Sequence, residues 1–530
     1  MNRFFLVIHI AIVLISCNTD LQNKDKSIIL YNSATAITSL DPAYARTQEN
    51  IRSVNQLFNG LLQLDKQLNI APCIAKSWQI SPDGKTYTFS IRNDVLFHNH
   101  PLFKGMKRKV LASDFTYSFN RVIDPKVASD GAWIFNGIIQ DENPFIALDD
   151  TTFQIQLKKP FTPLLSILTM AYTYVVPHEV VDALGIQFGK NPVGTGPFSF
   201  SNWSEGVRLN LVKNTDYFES TSTEPIPRID AISISFIQSK QTELLEFTQG
   251  KLDLFTGLES SFKDEILTSK GTLKSKYTQD FVLNKSPFLN TEYLAFNLED
   301  KTSPVYDVNF RKAIHYCINR VEMIQYLRNG IGIPADGGFC PRGLPSYHKA
   351  LENPYDVSLA KEYLKKSSII QDKPLILTTT SNYLDLCILV QKNCAKIGVE
   401  IKIDVVPSSL LKQQKSAGDL SFFRSSWIAD YPDGENYMAC FYSANKAPDG
   451  PNYTRYVDAD FDAQYEQLLA ETIPAKRMAI FSALQHNLEV AQPYALLFYD
   501  ESLWIRSKKV NTIRVNALNH LDLRYATKEK

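Results

Sequence analysis

Between residues 374 and 426 the chain switches regularly between two periods of hydrophobic spacing. An apolar run at Leu375–Thr379 predicts a strand, residues 384–397 a helix closed by Gly398, and residues 399–406 a second strand. A short helix and a third strand over residues 420–425 complete the pattern. Strands alternating with helices predict parallel pairing through right-handed crossovers. In such sheets ligands sit in the crevice beyond the carboxyl ends of the strands. The loop that leaves the third strand, residues 427–436, is therefore the first place to look for chemistry.

Elsewhere the period is that of hairpins. Tyr87, Phe89 and Ile91 alternate with Thr88, Ser90 and Arg92 after the turn Pro82-Asp83-Gly84, and Ser113 is placed to cap a helix whose Phe115, Phe119 and Val122 share a face. Phe198, Phe200 and Trp203, the turn Glu205-Gly206, then Val207, Leu209 and Leu211 predict a second hairpin. Residues 293–297 read as a strand, and residues 307–320 as a helix with the stripe Phe310, Ala313, Ile314 and Cys317.

The first residues change the picture of where the protein works. Arg3 precedes an apolar run from Phe4 to Ile15 that ends in Leu14-Ile15-Ser16-Cys17. That run is shorter than the ~20 residues needed to span a bilayer, and it has the basic start and small residues of a secretory signal. A Cys directly after Leu-x-Ser resembles the bacterial lipobox, which implies that residues 1–16 are removed, Cys17 is acylated and residues 17–26 form a polar tether; an ordinary signal or a buried N-terminal strand is the alternative. Membrane contact would be through lipid alone. A chain of 530 residues should hold more than one domain. Its 56 basic and 56 acidic residues balance, so no global field draws nucleic acid or an anionic membrane. The 31 Phe and 25 Tyr suit an aromatic cleft or a large core equally.

Six cysteines remain beyond Cys17: Cys73, Cys317, Cys340, Cys387, Cys394 and Cys440. None forms Cys-x-x-Cys or a zinc-spaced cluster. Export permits disulfides, but spacing does not choose among the pairings. Cys387 and Cys394 lie two turns apart on one predicted helix and should not bond each other; core packing explains them. His98-x-His100 lacks a third ligand and reads as a surface hairpin end. The chain contains no Gly-x-x-x-x-Gly-Lys-[Ser/Thr], Gly-x-Ser-x-Gly or His-Glu-x-x-His, so neither ATP hydrolysis nor the common serine or zinc hydrolases is indicated.

Four ordered landmarks carry a resemblance: Ala-x-Ser-Trp through Ser-Asp-Phe-x-Tyr-Ser-x-Asn-Arg within residues 71–124; Val-Gly-Thr-Gly-Pro-Phe followed by Lys-Asn-x-Asp-Tyr-Phe; Tyr-Leu-Ala-Phe-Asn with the helix after it; and Trp-x-Ala-Asp-Tyr-Pro-Asp-x-x-Asn at 427–436. Together they resemble the family 5 extracytoplasmic solute-binding proteins of bacterial peptide ABC importers, and the resemblance covers nearly all of the chain. It implies an α/β fold, a two-lobed clamp of the periplasmic-binding-protein type II kind with an additional inserted domain. The first lobe would comprise residues 27–60, 190–272 and 502–530, the insertion residues 61–189, and the second lobe residues 273–501. It also implies a monomeric receptor, extracytoplasmic and lipid-anchored, that binds short peptides and serves permease subunits, with no catalysis, cofactor, metal or nucleic acid. Relatives that bind nickel chelates or haem leave a second cargo open, and a peptide sensor or peptidase is a third reading.

A general peptide binder needs an acidic group for the ammonium, a basic group for the carboxylate, and a free strand edge. The resemblance assigns the ammonium to Asp430, which equally suits a turn cap. It places Arg424 at the ligand carboxylate, where a guanidinium pairs bidentately. Lys415 is a further carboxylate partner or a solvated helix-end charge. Backbone groups of Ser425, Ser426, Trp427 and Ile428 would run along the peptide as an added strand, with Trp427 either a pocket wall or core. On the facing lobe the resemblance assigns Asn59, Gly60 and Leu61. One stretch departs from the family pattern: His98 to Asp114 is longer than in relatives and carries Lys104, Lys107, Arg108 and Lys109, expected on a solvated loop tip.

Overall fold

The computed structural model describes residues 26–257, 260–347, 355–368 and 373–529. The signal segment and Cys17 lie outside them. Among the described residues no helix is long and apolar enough to cross a membrane.

Among the described residues one mixed sheet of eleven strands runs through the molecule; two long antiparallel strands, Phe281–Phe296 and Tyr494–Ser507, form its middle, and the short strand Ile333–Pro334 pairs with the second of them. To one side of this pair lie Leu254–Thr256, Ile28–Asn32, Ala231–Ser235, Arg208–Lys213 and Phe198–Ser204, in that order. To the other side lie Phe422–Ile428, Leu375–Thr379 and Ile401–Val405. The pairing of the two long strands is interrupted between Pro287 and Thr291. Proline has no N–H to give a ladder, so the sheet divides into two halves here.

In the second half the alternation expected over 374–426 is present. Leu375–Thr379 pairs in parallel with both Ile401–Val405 and Phe422–Ile428. The helix is Leu384–Ala395, and Gly398 adopts the positive φ that ends it. The third strand begins and ends later than the apolar run suggests, because it pairs with residues 290–296. Both faces of this half are covered. Helices Val308–Cys317 and Leu384–Ala395 bury one, with Phe310, Ala313, Ile314 and Cys317 inward as their spacing requires. Helices Ala459–Ala470 and Pro474–Ala491 help to bury the other, around Phe423, Tyr293 and Phe339.

Residues 75–156 contribute a separate four-stranded antiparallel sheet, closed by helix Ala112–Ile123. Its core is aromatic: Phe119 meets Phe145 and Phe153 edge-on at 5.3 and 5.4 Å. Ser113 does not cap this helix. The helix starts one residue earlier, and the carboxylate of Asp114 folds back to accept the Leu111 N–H at 2.8 Å.

His98 is not at a surface hairpin end either. It is buried, donates its backbone N–H to Gly194, and its ring bonds both the Gly194 N–H and the Gly196 carbonyl. Nδ1 must then accept and Nε2 donate, which requires the neutral ring; burial accordingly lowers its pKa to about 4. The basic stretch is only partly solvated. Lys104 and Lys109 are exposed, Lys107 pairs with Asp216, and Arg108 bridges Asp114 and Glu179.

The Val-Gly-Thr-Gly-Pro landmark has a packing cause. Gly196 donates its N–H to the Leu57 carbonyl at the end of helix Gln48–Leu57. A Cβ on Gly194 would lie 2.1 Å from Leu57 O, and one on Gly196 2.4 Å from Leu57 C. Backbone cannot yield as a side chain does, so Gly196→Ala is expected to cost at least ~2 kcal/mol of stability, measured by denaturant unfolding. A change below half of that would show that the approach is not fixed.

Candidate functional site

The crevice forms where the parallel strands end. Leu375–Thr379 meets its neighbour only at Thr378 opposite Phe423. Beyond that point, among the described residues, the far edge of residues 424–428 pairs with no strand, while the near edge stays paired with residues 290–294. Trp427 is half-buried and Ile428 exposed. This is the free edge that an extended ligand can join.

The loop after the strand is held by one side chain. The amide oxygen of Asn436 accepts from Trp427 Nε1 at 3.0 Å and from the Asp430 N–H at 3.2 Å, and its amide nitrogen donates to the Asp430 carboxylate at 3.4 Å. This explains why Trp, Asp and Asn recur at their spacing in the landmark. Further along, Arg477 grips Asp433 with 2.7 and 2.8 Å bonds. The carboxylate of Glu435 accepts from Tyr431 and Tyr465, and burial raises its pKa to about 7 against these bonds. The loop is thus a rigid support for Asp430.

Water reaches the Asp430 carboxylate, yet protein crowds it enough that burial raises its pKa above the ordinary value, opposed by the Asn436 bond. Tyr172, from the facing part of the chain, has its hydroxyl pKa raised to about 12, by burial first and then by Asp130 and Asp430.

The strand's alternation separates the two basic candidates. Phe423, Ser425 and Trp427 take one face; Phe422, Arg424, Ser426 and Ile428 take the other. Lys415 lies on the first face with Ser425, whose Oγ is 3.5 Å from its ammonium, and it stacks over the Tyr453 ring at 4.3 Å. Burial, then the nearby charges of Arg424 and Lys412, lowers its pKa to about 8. Burial first, then the charge of Asp430, raises the pKa of the Cys440 thiol, and the charge of Lys415 opposes them.

Arg424 is on the opposite face and is already engaged. Its guanidinium forms a close ion pair with Glu292 on the neighbouring strand and lies over the Tyr383 ring at 3.2 Å. It is 8% exposed and Glu292 2%. The structure therefore does not offer Arg424 as a free carboxylate partner beside Asp430. Asn59, Gly60 and Leu61 are buried, and their carbonyls accept from Val175, Ile74 and, for Leu61, both Cys73 and Ala75; Asn59 and Gly60 line a cavity of about 840 Å³ that residues 424–430 do not line. Tyr174 packs against Gly60 closely enough that a Cβ there would touch its ring at 3.0 Å.

A different segment faces the second half. Residues 33–35 follow the carboxyl end of strand Ile28–Asn32 and line a crevice of about 590 Å³ together with Arg52, Trp504, Arg328 and Ile428. The rule that led to residues 427–436 applies equally to this strand end, and it is the signal that would have found them. The larger cavity of about 840 Å³ is walled by residues 55–73, 217–226 and 513–525. It includes nothing from the second half of the sheet, so movement of the halves would not enclose it.

Two α/β halves, two crossing strands and a crevice at their junction define a type II periplasmic-binding clamp. The structure of HbpA2 from Haemophilus parasuis has this fold, with a TM-score of 0.83 at 21% identity over 95% of this chain and 100% of that one. Residues 69–449 match the family model for the middle part of bacterial extracellular solute-binding proteins, family 5, and the chain belongs to that family. It is 26% identical to the oligopeptide-binding protein OppA of Bacillus subtilis over 518 residues, covering 93% of this chain and 91% of that protein. The periplasmic binding protein DppA of Helicobacter pylori, solved in complex with the peptide STSA, is 25% identical with a TM-score of 0.74, covering 94% of this chain and 98% of that one.

Proposed function

We propose that this protein binds short peptides with free termini in the inter-lobe crevice and delivers them to an ABC importer, held at the membrane by lipid on Cys17. The observation that carries the reading is the unpaired edge of residues 424–428 leading directly into Asp430. Main-chain bonds along an edge give affinity without reading side chains, and a fixed carboxylate at its end sets the register of a peptide ammonium. Lys415 is the cation on the same face and takes the carboxylate role. Closure of the halves about the interrupted pairing at 287–291 is the working step. Mass spectrometry of ligands that copurify with the protein tests this: a set of short free-ended peptides supports it, and a metal chelate or haem without peptide overturns it. Tripeptides incubated with the protein should be recovered uncut.

Two further results are expected. With Lys415 titrating near pH 8, the affinity advantage of a free-carboxylate peptide over its C-terminal amide should shrink as pH rises from 7 to 9.5. The amide partner cancels the loss of charge on the peptide amine, and calorimetry reads the difference; an advantage that stays constant removes Lys415 from the site. Labelled palmitate should enter the wild-type protein and not Cys17→Ala.

A further inference from the structure

Helices Val308–Cys317 and Leu384–Ala395 lie side by side over one face of the second half of the sheet, and they bring together two cysteines 77 residues apart. The sulfurs of Cys317 and Cys394 are 3.4 Å from each other, and both residues are 0% exposed. Cys340 and Cys440 instead contact the carbonyls of Gly434 and Asn436. A bonded pair of sulfurs sits about 2.05 Å apart, so these two need to approach by roughly 1.4 Å to join.

We propose that Cys317 and Cys394 form a structural disulfide that ties the two helices together across the core of the second half. The oxidant is a disulfide-bearing thiol exchanger. One cysteine thiolate attacks it, forming a mixed disulfide and releasing one thiolate. The other cysteine thiolate attacks the protein sulfur of that mixed disulfide and releases the second. One S–S bond is made and one broken, and two electrons and two protons pass to the exchanger. The closed core admits no exchanger, and the contact with Cys317, then burial, raises the Cys394 thiol well above its ordinary pKa, so the bond forms while the helices are still assembling. In the cell the oxidant is supplied by the extracytoplasmic location; a defined redox buffer tests the geometry independently of that location and of peptide binding.

The full chain is refolded in a mixture of reduced and oxidised glutathione, alkylated under denaturing conditions, and digested with trypsin without reduction. The expected result is fragment 313–320 joined to fragment 393–396, at a mass two hydrogens below their sum, and released by reductant. The thermal midpoint of the refolded protein should fall by roughly 5 °C when the bond is reduced, and this dependence on reductant should vanish in the double variant Cys317→Ala, Cys394→Ala. Recovery of both fragments only as alkylated free thiols overturns the proposal, as does a wild-type midpoint indifferent to reductant.

Discussion

Replacing Asp430 with alanine is expected to weaken the binding of short free-ended peptides at least tenfold. A charge-assisted bond between a carboxylate and an ammonium contributes roughly 1.5 to 3 kcal/mol, and here the support is rigid: Asn436 fixes both the Asp430 backbone and its side chain. N-terminal acetylation of the peptide should cost the wild type a similar factor and cost Asp430→Ala almost nothing, because the partner is already gone. The pH dependence follows from the raised pKa of Asp430. Affinity should begin to fall on acidification at a higher pH than for an exposed aspartate, since the neutral carboxyl no longer attracts the ammonium. Unchanged affinity of Asp430→Ala in calorimetry would remove this residue from the site.

Glu292→Ala is expected to destabilise the fold by about 3 to 5 kcal/mol, because it strands a buried guanidinium. Arg424, only 8% exposed, then loses its ion-pair partner, and its Nε already lacks one. Replacing both members of the pair with apolar residues, Glu292→Leu with Arg424→Met, should recover most of that loss. The comparison also decides what Arg424 does. If Arg424→Met with Glu292→Leu keeps peptide affinity, the ion pair holds the strand in place; if stability is untouched but affinity collapses, Arg424 is a ligand group after all.

Much of the second half was legible in the sequence because its strands and helices are short, regular and bounded by clear stops such as Gly398. The loop at 427–436 was also within reach, since the end of a parallel strand is where such sheets leave room for a ligand. The separation of Arg424 from Asp430 was hidden for an instructive reason. Its alternation with Ser425 and Trp427 already put it on the other face, but which face looks into the crevice depends on where the neighbouring strand stops. That is set by pairing between Thr378 and Phe423, and Glu292, its partner, lies 132 positions away. Asn59, Gly60 and Leu61 rested on the resemblance alone. They are buried because Tyr174 packs on Gly60 and residues 73–75 and 175 claim their carbonyls, contacts that no local pattern shows. His98 was missed similarly: its role depends on a glycine loop nearly a hundred residues further on.

The long strand Tyr494–Ser507 stands between both halves of the sheet, yet it is one of the last segments of the chain in sequence order. Its beginning completes the half that holds Asp430, and its end joins the half that begins at Ile28. Neither half of the sheet is therefore joined to the other until this segment is in place, and one late insertion in sequence order links both jaws.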